Sequence, residues 1–357
     1  MKREFHMRHR GISLLAIICY CGIAIAQSAK LPAVKIIATG GTIAGEAATS
    51  AQAGYTSGQV GVDALIKAVP TLSKIARVSG EQISNVGSQD MSDEIWLKLA
   101  KRINQLAASS DVDGIAITHG TDTMEETAYF LNLTVKSDKP VVMVGSMRPS
   151  TAVSADGPLN LYNAVAVAAD PQAKGKGVLV VMNDWIHAAH SLTKTSTTAV
   201  QTFMSPVRGI VGTANYGKND YYTSPEWKHT THSEFDITGV TTLPRVDIIY
   251  ASADMSPDLI DCAAMSAKGI VIAGVGNGNM TASALTALTK HAKNGVVCVR
   301  STRVTTGRVG RNVEVDDDKS GFVASLDLNP QKARVLLRLA LLKTRNNADL
   351  QRLFSEY

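Results

Sequence analysis

Short apolar runs alternate with amphipathic stretches along the chain, and this alternation constrains the fold more than any other feature of the sequence. In the first half, stretches 92–108 and 156–169 carry apolar residues at helical spacing. Between such stretches lie apolar runs that predict buried strands: Val34–Ala38, Gly114–Thr118, Val141–Gly145 and Val178–Met182. Strands that alternate with helices indicate an α/β fold with a mainly parallel sheet.

A polar stretch near the middle of the chain interrupts this pattern. Tyr216–Leu243 is rich in Thr, His, Tyr and Lys and shows no clear period, so we interpret its second half as a linker. Apolar runs then return as Val246–Tyr250, Gly269–Ala273 and Val296–Arg300, with 280–293 helical. A chain of 357 residues is also too long for one simple core. We therefore expect two α/β domains, 32–221 and 244–357, joined by a linker at 222–243.

The last predicted helix has a clear start signal. Asn329 is a good N-cap residue, and Pro330 stands at the first helical position. Its predicted apolar face comprises Val335, Leu336, Leu339 and Leu342.

The first 26 residues have the pattern of a secretory signal peptide. Four basic residues precede an apolar run at 11–26, which ends in the small-x-small pattern Ala24-Ile25-Ala26. A membrane anchor is the alternative, although the run is short for a bilayer span. We expect a cleaved leader at 1–26 and a periplasmic or secreted protein.

Removing the leader changes the charge and the cysteine content. The formal charge of +5 falls to +2, because the leader carries four Lys/Arg and one Glu. The remaining chain has no basic stripe interleaved with aromatic residues, so we expect no nucleic-acid partner. Only Cys262 and Cys298 remain, both in apolar stretches that predict buried free thiols.

Ligands of open parallel sheets bind at the carboxyl ends of the strands, so the residues after each apolar run matter most. The first run ends in Ala38–Gly45 (ATGGTIAG), where two glycines allow a sharp turn that presents Thr42. A glycine turn of this kind is usually structural, and the segment lacks the Gly-Lys-Ser/Thr ending of a phosphate loop.

A second polar cluster follows the run Gly114–Thr118. Thr121 and Thr123 flank Asp122 there, and a hydroxyl beside a carboxylate can form a proton relay. Its acidic residues are equally explained by the dipole of the following helix. Lys194, within Leu-Thr-Lys-Thr, offers a base to complete such a relay, although isolated lysines are normally solvated.

Together these motifs resemble the bacterial asparaginase/glutaminase family, and with the leader the chain resembles the exported type II asparaginases. The resemblance covers residues 35–357. The segments that carry it are Ala38–Gly45 (ATGGTIAG), Gly87–Met91 (GSQDM), Gly114–Ala128 (GIAITHGTDTMEETA), Met147–Asn163 (MRPSTAVSADGPLNLYN), Gly274–Asn279 (GVGNGN) and Asn329–Leu336 (NPQKARVL). The family's fold implies a larger flavodoxin-like N-terminal domain and a smaller Rossmann-like C-terminal domain.

The resemblance also implies the catalytic residues and the reaction. Thr42 would attack the side-chain amide of L-asparagine and form an acyl-enzyme, which water hydrolyses to L-aspartate. Tyr55, in a mobile loop, would contact Thr42, while Thr121, Asp122 and Lys194 would form a second polar group. A threonine hydroxyl needs such help, because it is a poor nucleophile until a neighbour withdraws its proton.

Substrate recognition and assembly follow from the same resemblance. Ser88 would bind the α-carboxylate, and Gln89 and Asp122 would bind the α-ammonium. Asn279 and Glu314 would enter the pocket from a neighbouring subunit of a homotetramer. No metal or organic cofactor is expected.

Three points stay open in the sequence. His190 and Ser191 stand where many relatives have Arg-Asp, which leaves the ion pairing near Lys194 undecided. A glutaminase-asparaginase with comparable glutamine activity is the nearest alternative function, although we expect asparagine to be preferred. A periplasmic amino-acid binding protein would also need acidic residues, but it would not need Thr42 or Lys194.

Overall fold

The N-terminal sheet has eight strands, and two further short strands form a separate hairpin. The computed structural model describes Met1, residues 30–51, Gly54 and residues 56–357. The predicted leader therefore lies, apart from Met1, outside the described residues. The strands of this half are β1 Ala33–Gly40, β2 Arg77–Val86, β3 Gly114–Thr118, β4 Val141–Val144, β5 Val178–Met182, β6 Trp185–Ala188, β7 Thr193–Lys194, β8 Phe203–Met204, β9 Gly212–Asn215 and β10 Lys218–Tyr221.

The strand order of the eight-stranded sheet is β10-β9-β6-β5-β4-β3-β1-β2. Strands β2, β1, β3, β4 and β5 are parallel, whereas β6, β9 and β10 extend the sheet in antiparallel fashion. The parallel part has the flavodoxin-like order 2-1-3-4-5. The prediction of a flavodoxin-like N-terminal domain is confirmed, with an antiparallel extension that the apolar pattern did not indicate.

Helices on both faces bury the parallel strands. All five residues of β3 and all five of β5 are buried, which explains why these strands are continuous apolar runs. The helices of this domain are α1 Val62–Ala68, α2 Asp93–Ala108, α3 Met124–Thr134 and α4 Gly157–Ala169.

The C-terminal sheet has four parallel strands in the order β11-β12-β13-β14, which agrees with the predicted Rossmann-like domain. These strands are β11 Val246–Tyr250, β12 Gly269–Gly274, β13 Val297–Thr302 and β14 Phe322–Ala324. The helices are α5 Asp258–Ala264, α6 Ala282–Lys293, α7 Asp317–Ser320, α8 Pro330–Ala340 and α9 Asn347–Glu356.

The predicted helix starts agree with the structure, but two details of the C-terminal half were wrong. Ser92 caps α2 by accepting a hydrogen bond from the Ile95 amide, and Asn329 caps α8. However, α8 is followed by a further helix, α9. Leu342 lies beyond the end of α8 and is 41% exposed, so it does not extend the buried apolar face.

The segment predicted as a linker, 222–243, has ordered structure. It contains a turn of 3₁₀ helix at Thr230–His232, and Phe235 and Ile237 are buried. Lys101 of the N-terminal domain donates a hydrogen bond to the Val240 carbonyl of this segment. The segment is polar in sequence because it lies over the surface of the N-terminal domain.

One hydrophobic core cluster includes residues from both halves of the chain, from Ile37 in β1 to Tyr357 after α9. Helices α3 and α8 pack together within it. Residues 31–357 accordingly form one compact unit. No helix among the described residues is long and apolar enough to cross a bilayer.

The C-terminal domain contains a fully buried ion pair. Arg300 and Asp317 are both 0% exposed, and the guanidinium binds the carboxylate through two bonds of 2.6 and 2.7 Å. The other guanidinium hydrogens point to the carbonyls of Asn277, Gly278 and Gly310. All five donors of Arg300 are therefore used.

The two cysteines among the described residues, Cys262 and Cys298, differ in burial. Cys298 is buried, as predicted, but Cys262 is exposed, so the prediction of two buried thiols was wrong. Cys262 lies on α5, whose apolar residues only partly face the core.

Candidate active site

The two motifs after β1 and β3 meet at the edge of the N-terminal sheet. β1 pairs with β2 on one side and with β3 on the other. The strand order therefore changes direction between β1 and β3. Ligands of open α/β sheets bind at such a switch point. Thr42 follows β1 and Thr121 follows β3, and this topology places both at the same crevice.

Glycines allow the two loops to pack backbone against backbone. Gly40 and Gly41 have φ angles of 110° and 82°, in the region that favours glycine. A Cβ atom at Gly41 would lie 2.3 Å from the Gly120 amide nitrogen, and one at Gly40 would lie 2.4 Å from the Val86 carbonyl oxygen. A side chain at Gly41 would push apart the loops that carry Thr42 and Thr121, and one at Gly40 would collide with the end of β2.

Lys194 joins the second polar group. Its Nζ donates to Thr121 Oγ1 at 2.9 Å and to Asp122 Oδ1 at 2.6 Å. The Lys194 side chain is 16% exposed, whereas that of Asp122 is 62% exposed. A partly buried ammonium thus bridges a hydroxyl and a carboxylate that reaches into the crevice.

A cavity of about 570 Å³ contains these groups. Four of the predicted site residues line it: Thr42, Thr121, Asp122 and Lys194. Residues 50, 51, 147–149, 152–154, 197 and 198 also line it. The cavity is large enough for a small amino acid.

Ser88 and Gln89 lie next to this group. Ser88 Oγ accepts a hydrogen bond from the Asp122 amide at 3.1 Å, and the Ser88 carbonyl accepts from Thr123 Oγ1 at 2.7 Å. The Gln89 side chain is exposed and donates to Asp90. Ser88 thus connects the turn after β2 to the loop after β3.

Asn279 and Glu314 are close to each other but not to Thr42 within one chain. Asn279 Nδ2 donates to Glu314 Oε2. Neither residue is among the described residues that line the Thr42 cavity. The structure therefore brings this pair together as a separate feature of the C-terminal domain. Tyr55 lies outside the described residues.

Sequence reasoning missed several residues that support the site. Glu125 is buried one turn after Asp122 and accepts from Asn329 of α8 at 2.8 Å. Lys332 is also buried and contacts the chain just before Lys194. Charged residues in a predicted apolar helix face could have signalled such a contact, because an unpaired buried charge is costly.

His190 is a packed aromatic residue rather than an ion-pair partner of Lys194. Its ring stacks on Trp227 with centroids 3.8 Å apart. Burial, with smaller contributions from Lys332 and Arg208, lowers the pKa of His190 to about 3. The carboxylate that pairs with Lys194 is Asp122.

The His119 side chain is fully buried and contacts the next residue, Gly120. Its Nδ1 is 2.6 Å from the Gly120 carbonyl oxygen. Because a carbonyl can only accept, the proton resides on Nδ1, and His119 holds the loop that precedes Thr121. Burial lowers the pKa of His119 to about 4, so the ring is neutral at pH 7.

Buried histidines make the fold sensitive to acid. The pKa values of His119 and His187 are about 4 and that of His190 is about 3, against about 6.5 in an unfolded chain. Between about pH 6.5 and pH 4 the unfolded chain binds up to three more protons through these rings, so stability is lost as pH falls. Glu126 has the opposite effect on stability. Burial raises its pKa to about 7, so the folded chain binds about one more proton at Glu126 than the unfolded chain does.

We expect a net uptake of about two protons on unfolding near pH 5.5. The free energy of unfolding should therefore fall by roughly 3 kcal/mol for each unit by which the pH is lowered. Urea unfolding between about pH 6.5 and pH 4.5 measures this slope. His190→Gln should reduce the slope by about one proton. A stability that does not change over this range would contradict the expectation.

The chain matches two protein-family models along almost its entire length. Residues 33–227 match the family described as Asparaginase, N-terminal, and residues 245–354 match the Glutaminase/Asparaginase C-terminal domain.

Several similar proteins carry related names. A probable periplasmic L-asparaginase of Haemophilus influenzae is 55% identical and covers 94% of this chain and 96% of its own length. L-asparaginase 2 of Escherichia coli is 54% identical, with 95% and 96% covered. A glutaminase-asparaginase of Pseudomonas fluorescens is 49% identical, with 92% and 91% covered.

A solved structure agrees with the fold. The crystal structure of a probable cytoplasmic L-asparaginase from Campylobacter jejuni superimposes with a TM-score of 0.88 at 48% identity, covering 91% of this chain and all of that one. Family models, relatives and structure all point the same way. The chain belongs to the asparaginase/glutaminase family.

Proposed function

We propose that this protein is an L-asparaginase, which hydrolyses the side-chain amide of L-asparagine to give L-aspartate and ammonia. The observation that carries this proposal is the crevice in which Thr42 shares one cavity with Thr121, Asp122 and Lys194. The names of the similar proteins supply the substrate class.

Thr42 is the proposed nucleophile. Its oxygen attacks the side-chain carbonyl carbon, the C–N bond breaks, and the amide nitrogen leaves as ammonia after taking a proton. Water then attacks the ester to Thr42 and releases aspartate. We assign stabilisation of the oxyanion to the backbone at Thr42, because preorganised N–H donors stabilise the charge that develops on the carbonyl oxygen.

The proton path runs through Lys194, Thr121 and Asp122 in this proposal. Hydrogen bonds of 2.9 and 2.6 Å from Lys194 hold this group in one geometry. Lys194 must release a proton to Asp122 or to solvent before it can accept one by way of Thr121. Tyr55 is assigned to assist Thr42 by the family resemblance alone.

Substrate binding is assigned to the groups beside the crevice. Asp122 and Gln89 bind the α-ammonium and Ser88 binds the α-carboxylate. The exposed carboxylate of Asp122 supports this assignment, because a cationic ligand gains most from an acceptor that reaches into its site.

Steady-state rates on asparagine and glutamine with purified protein test the function directly. The two substrates differ by one methylene, which a pocket usually distinguishes by about 1–3 kcal/mol. A neutral Gln89 should hold the α-ammonium less firmly than a carboxylate, so the longer substrate loses its alignment with Thr42. We expect kcat/KM for asparagine to exceed that for glutamine at least tenfold, about 1.4 kcal/mol.

The double variant Gln89→Glu with Asn279→Ser should narrow this difference. Equal specificity constants in the unmodified enzyme would instead identify a glutaminase-asparaginase, the activity named for the Pseudomonas fluorescens relative. Binding of asparagine without ammonia release would identify an amino-acid binding protein.

A homotetramer built from two tight dimers is part of the proposal. Asn279 and Glu314 form a pair away from the Thr42 cavity of their own chain, which supports a role in the pocket of a neighbour. Mixing Thr42→Ala with Glu314→Ala subunits should then restore activity, because one hybrid pocket contains both intact residues.

Activity in the mixture but not in either variant alone is the expected result. Size-exclusion chromatography with light scattering checks the assembly. Full activity from a verified monomer would contradict the shared pocket.

We further propose that residues 1–26 are a cleaved leader and that the mature enzyme is periplasmic or secreted. The domain boundaries 32–221, 222–243 and 244–357 belong to the same proposal. The mass of the N-terminal peptide in protein recovered from the periplasm tests the leader.

A further inference from the structure

The first turn of α8 holds a lysine in a place where lysines are rarely found. Lys332 is 3% exposed, and its Nζ donates to the carbonyls of His190, at 2.7 Å, and Leu192. Both carbonyls belong to the short segment that leads into Lys194. A residue of the C-terminal domain therefore binds the backbone that carries a proposed catalytic residue of the N-terminal domain.

Two other residues at the start of α8 contact Glu125, which lies three residues after Asp122. Asn329 caps α8 with its Oδ1, and its Nδ2 donates to Glu125 at 2.8 Å and to Thr193 at 3.4 Å. Gln331 also donates to Glu125, at 3.2 Å. Glu125 Oε2 lies 4.0 Å from the Lys332 ammonium nitrogen.

Both ends of the Lys194–Asp122 ion pair are thus attached to one turn of α8. On one side, β7 contains only two residues, Thr193 and Lys194, and pairs only with β8. On the other side, Glu125 stands three residues after Asp122, in the first turn of α3. The α8 turn therefore contacts the segments that carry both partners of the ion pair.

Burying Lys332 has a free-energy cost, because its ammonium loses hydration, and burial lowers the pKa of the ammonium to about 8. The two carbonyl acceptors and the nearby Glu125 offset part of this cost. These contacts tie the segment before Lys194 to α8.

We propose that Lys332, together with Asn329, is a positioning residue of this enzyme. From the C-terminal domain it fixes Lys194 against Thr121 and Asp122. This inference rests on the proposed function. In this inference the C-terminal domain affects the active site of its own subunit through Lys332. The proposed role of Asn279 and Glu314 in a neighbouring subunit is independent of it.

Lys332→Met tests the inference, since methionine fills a similar volume without donating. We expect kcat for asparagine to fall at least about tenfold while KM changes less than roughly threefold, because substrate contacts stay intact but the proton path is misaligned. Lys332→Arg, which can donate to the same carbonyls, should recover part of kcat. A crystal structure of Lys332→Met should show Lys194 Nζ more than about 3.5 Å from Thr121 Oγ1.

Lys101→Met is the matched control. Lys101 also donates across the molecule to a backbone carbonyl, that of Val240, at 2.8 Å, but it does not bind the segment before Lys194. It should lower the unfolding temperature without changing kcat. If Lys332→Met fails to fold, Asn329→Ser replaces it, because serine keeps the N-cap while the bonds to Glu125 and Thr193 are lost.

A Lys332→Met enzyme with unchanged kcat overturns the inference. So does a reduced kcat with Lys194 still within hydrogen-bond distance of Thr121, since the effect would then have another route. Should the unmodified protein hydrolyse neither amide, the proposed function is wrong, while the crystallographic distance still decides whether Lys332 positions Lys194.

Discussion

Thr42→Ala should abolish asparagine hydrolysis while leaving the fold intact. The substitution removes one hydroxyl and one methyl group from a side chain that is 5% exposed, so the loss of packing is small. Removal of a nucleophile usually lowers kcat by a factor of about 10³ or more. Ammonia release with excess asparagine measures the effect, and circular dichroism verifies the fold.

Thr42→Ser provides the matched control because it keeps the hydroxyl and loses only the methyl group. This variant should retain measurable turnover, and Thr42→Ala should still bind aspartate. Thr42→Ala activity above roughly one-thousandth of the unmodified rate would remove Thr42 from its proposed role.

Much of this site could be predicted from the sequence because its chemistry lies directly after predicted strands. Thr42, Thr121 and Asp122 each follow an apolar run, and parallel strands bring such positions to one edge. Lys194 is less predictable, since β7 is only two residues long and shows no pattern of its own. Its partners became identifiable only through the resemblance and, in the structure, through measured distances.

Arg300→Met should destabilise the fold more than any single surface change. It would leave the Asp317 carboxylate buried without its cation and three backbone carbonyls without their donor. Breaking a buried ion pair by removing one partner costs about 3–5 kcal/mol. The free energy of urea unfolding, compared at equal assembly state, measures the loss.

Arg245→Met is the matched comparison. Arg245 binds Asp247 at 2.7 Å through the same fork, but the arginine side chain is 60% exposed. Water screens such a pair, which is worth about 1 kcal/mol or less. Similar losses for Arg300→Met and Arg245→Met would show that burial does not set the strength of the Arg300 pair.

The strands and helices of both domains were easier to predict than the contacts between them. The apolar runs located β3, β5 and β11 with the same bounds as the structure. For β3 and β5 the reason is that fully buried parallel strands are uninterrupted apolar runs. The position of segment 222–243 and the burial of Lys332 depend on partners more than a hundred residues away. Local patterns contain no information about such partners.

The backbone contact between the loops after β1 and β3 has a consequence for altering this enzyme. A Cβ atom at Gly41 would lie 2.3 Å from the Gly120 amide nitrogen, and one at Gly120 would lie 2.7 Å from Ser88 Oγ, so neither position can accept a side chain unless its neighbours move. Random libraries that include these codons would consist largely of inactive members. Diversity is better directed to other residues that line the crevice, 152–154, 197 and 198, because their side chains are exposed or half-buried.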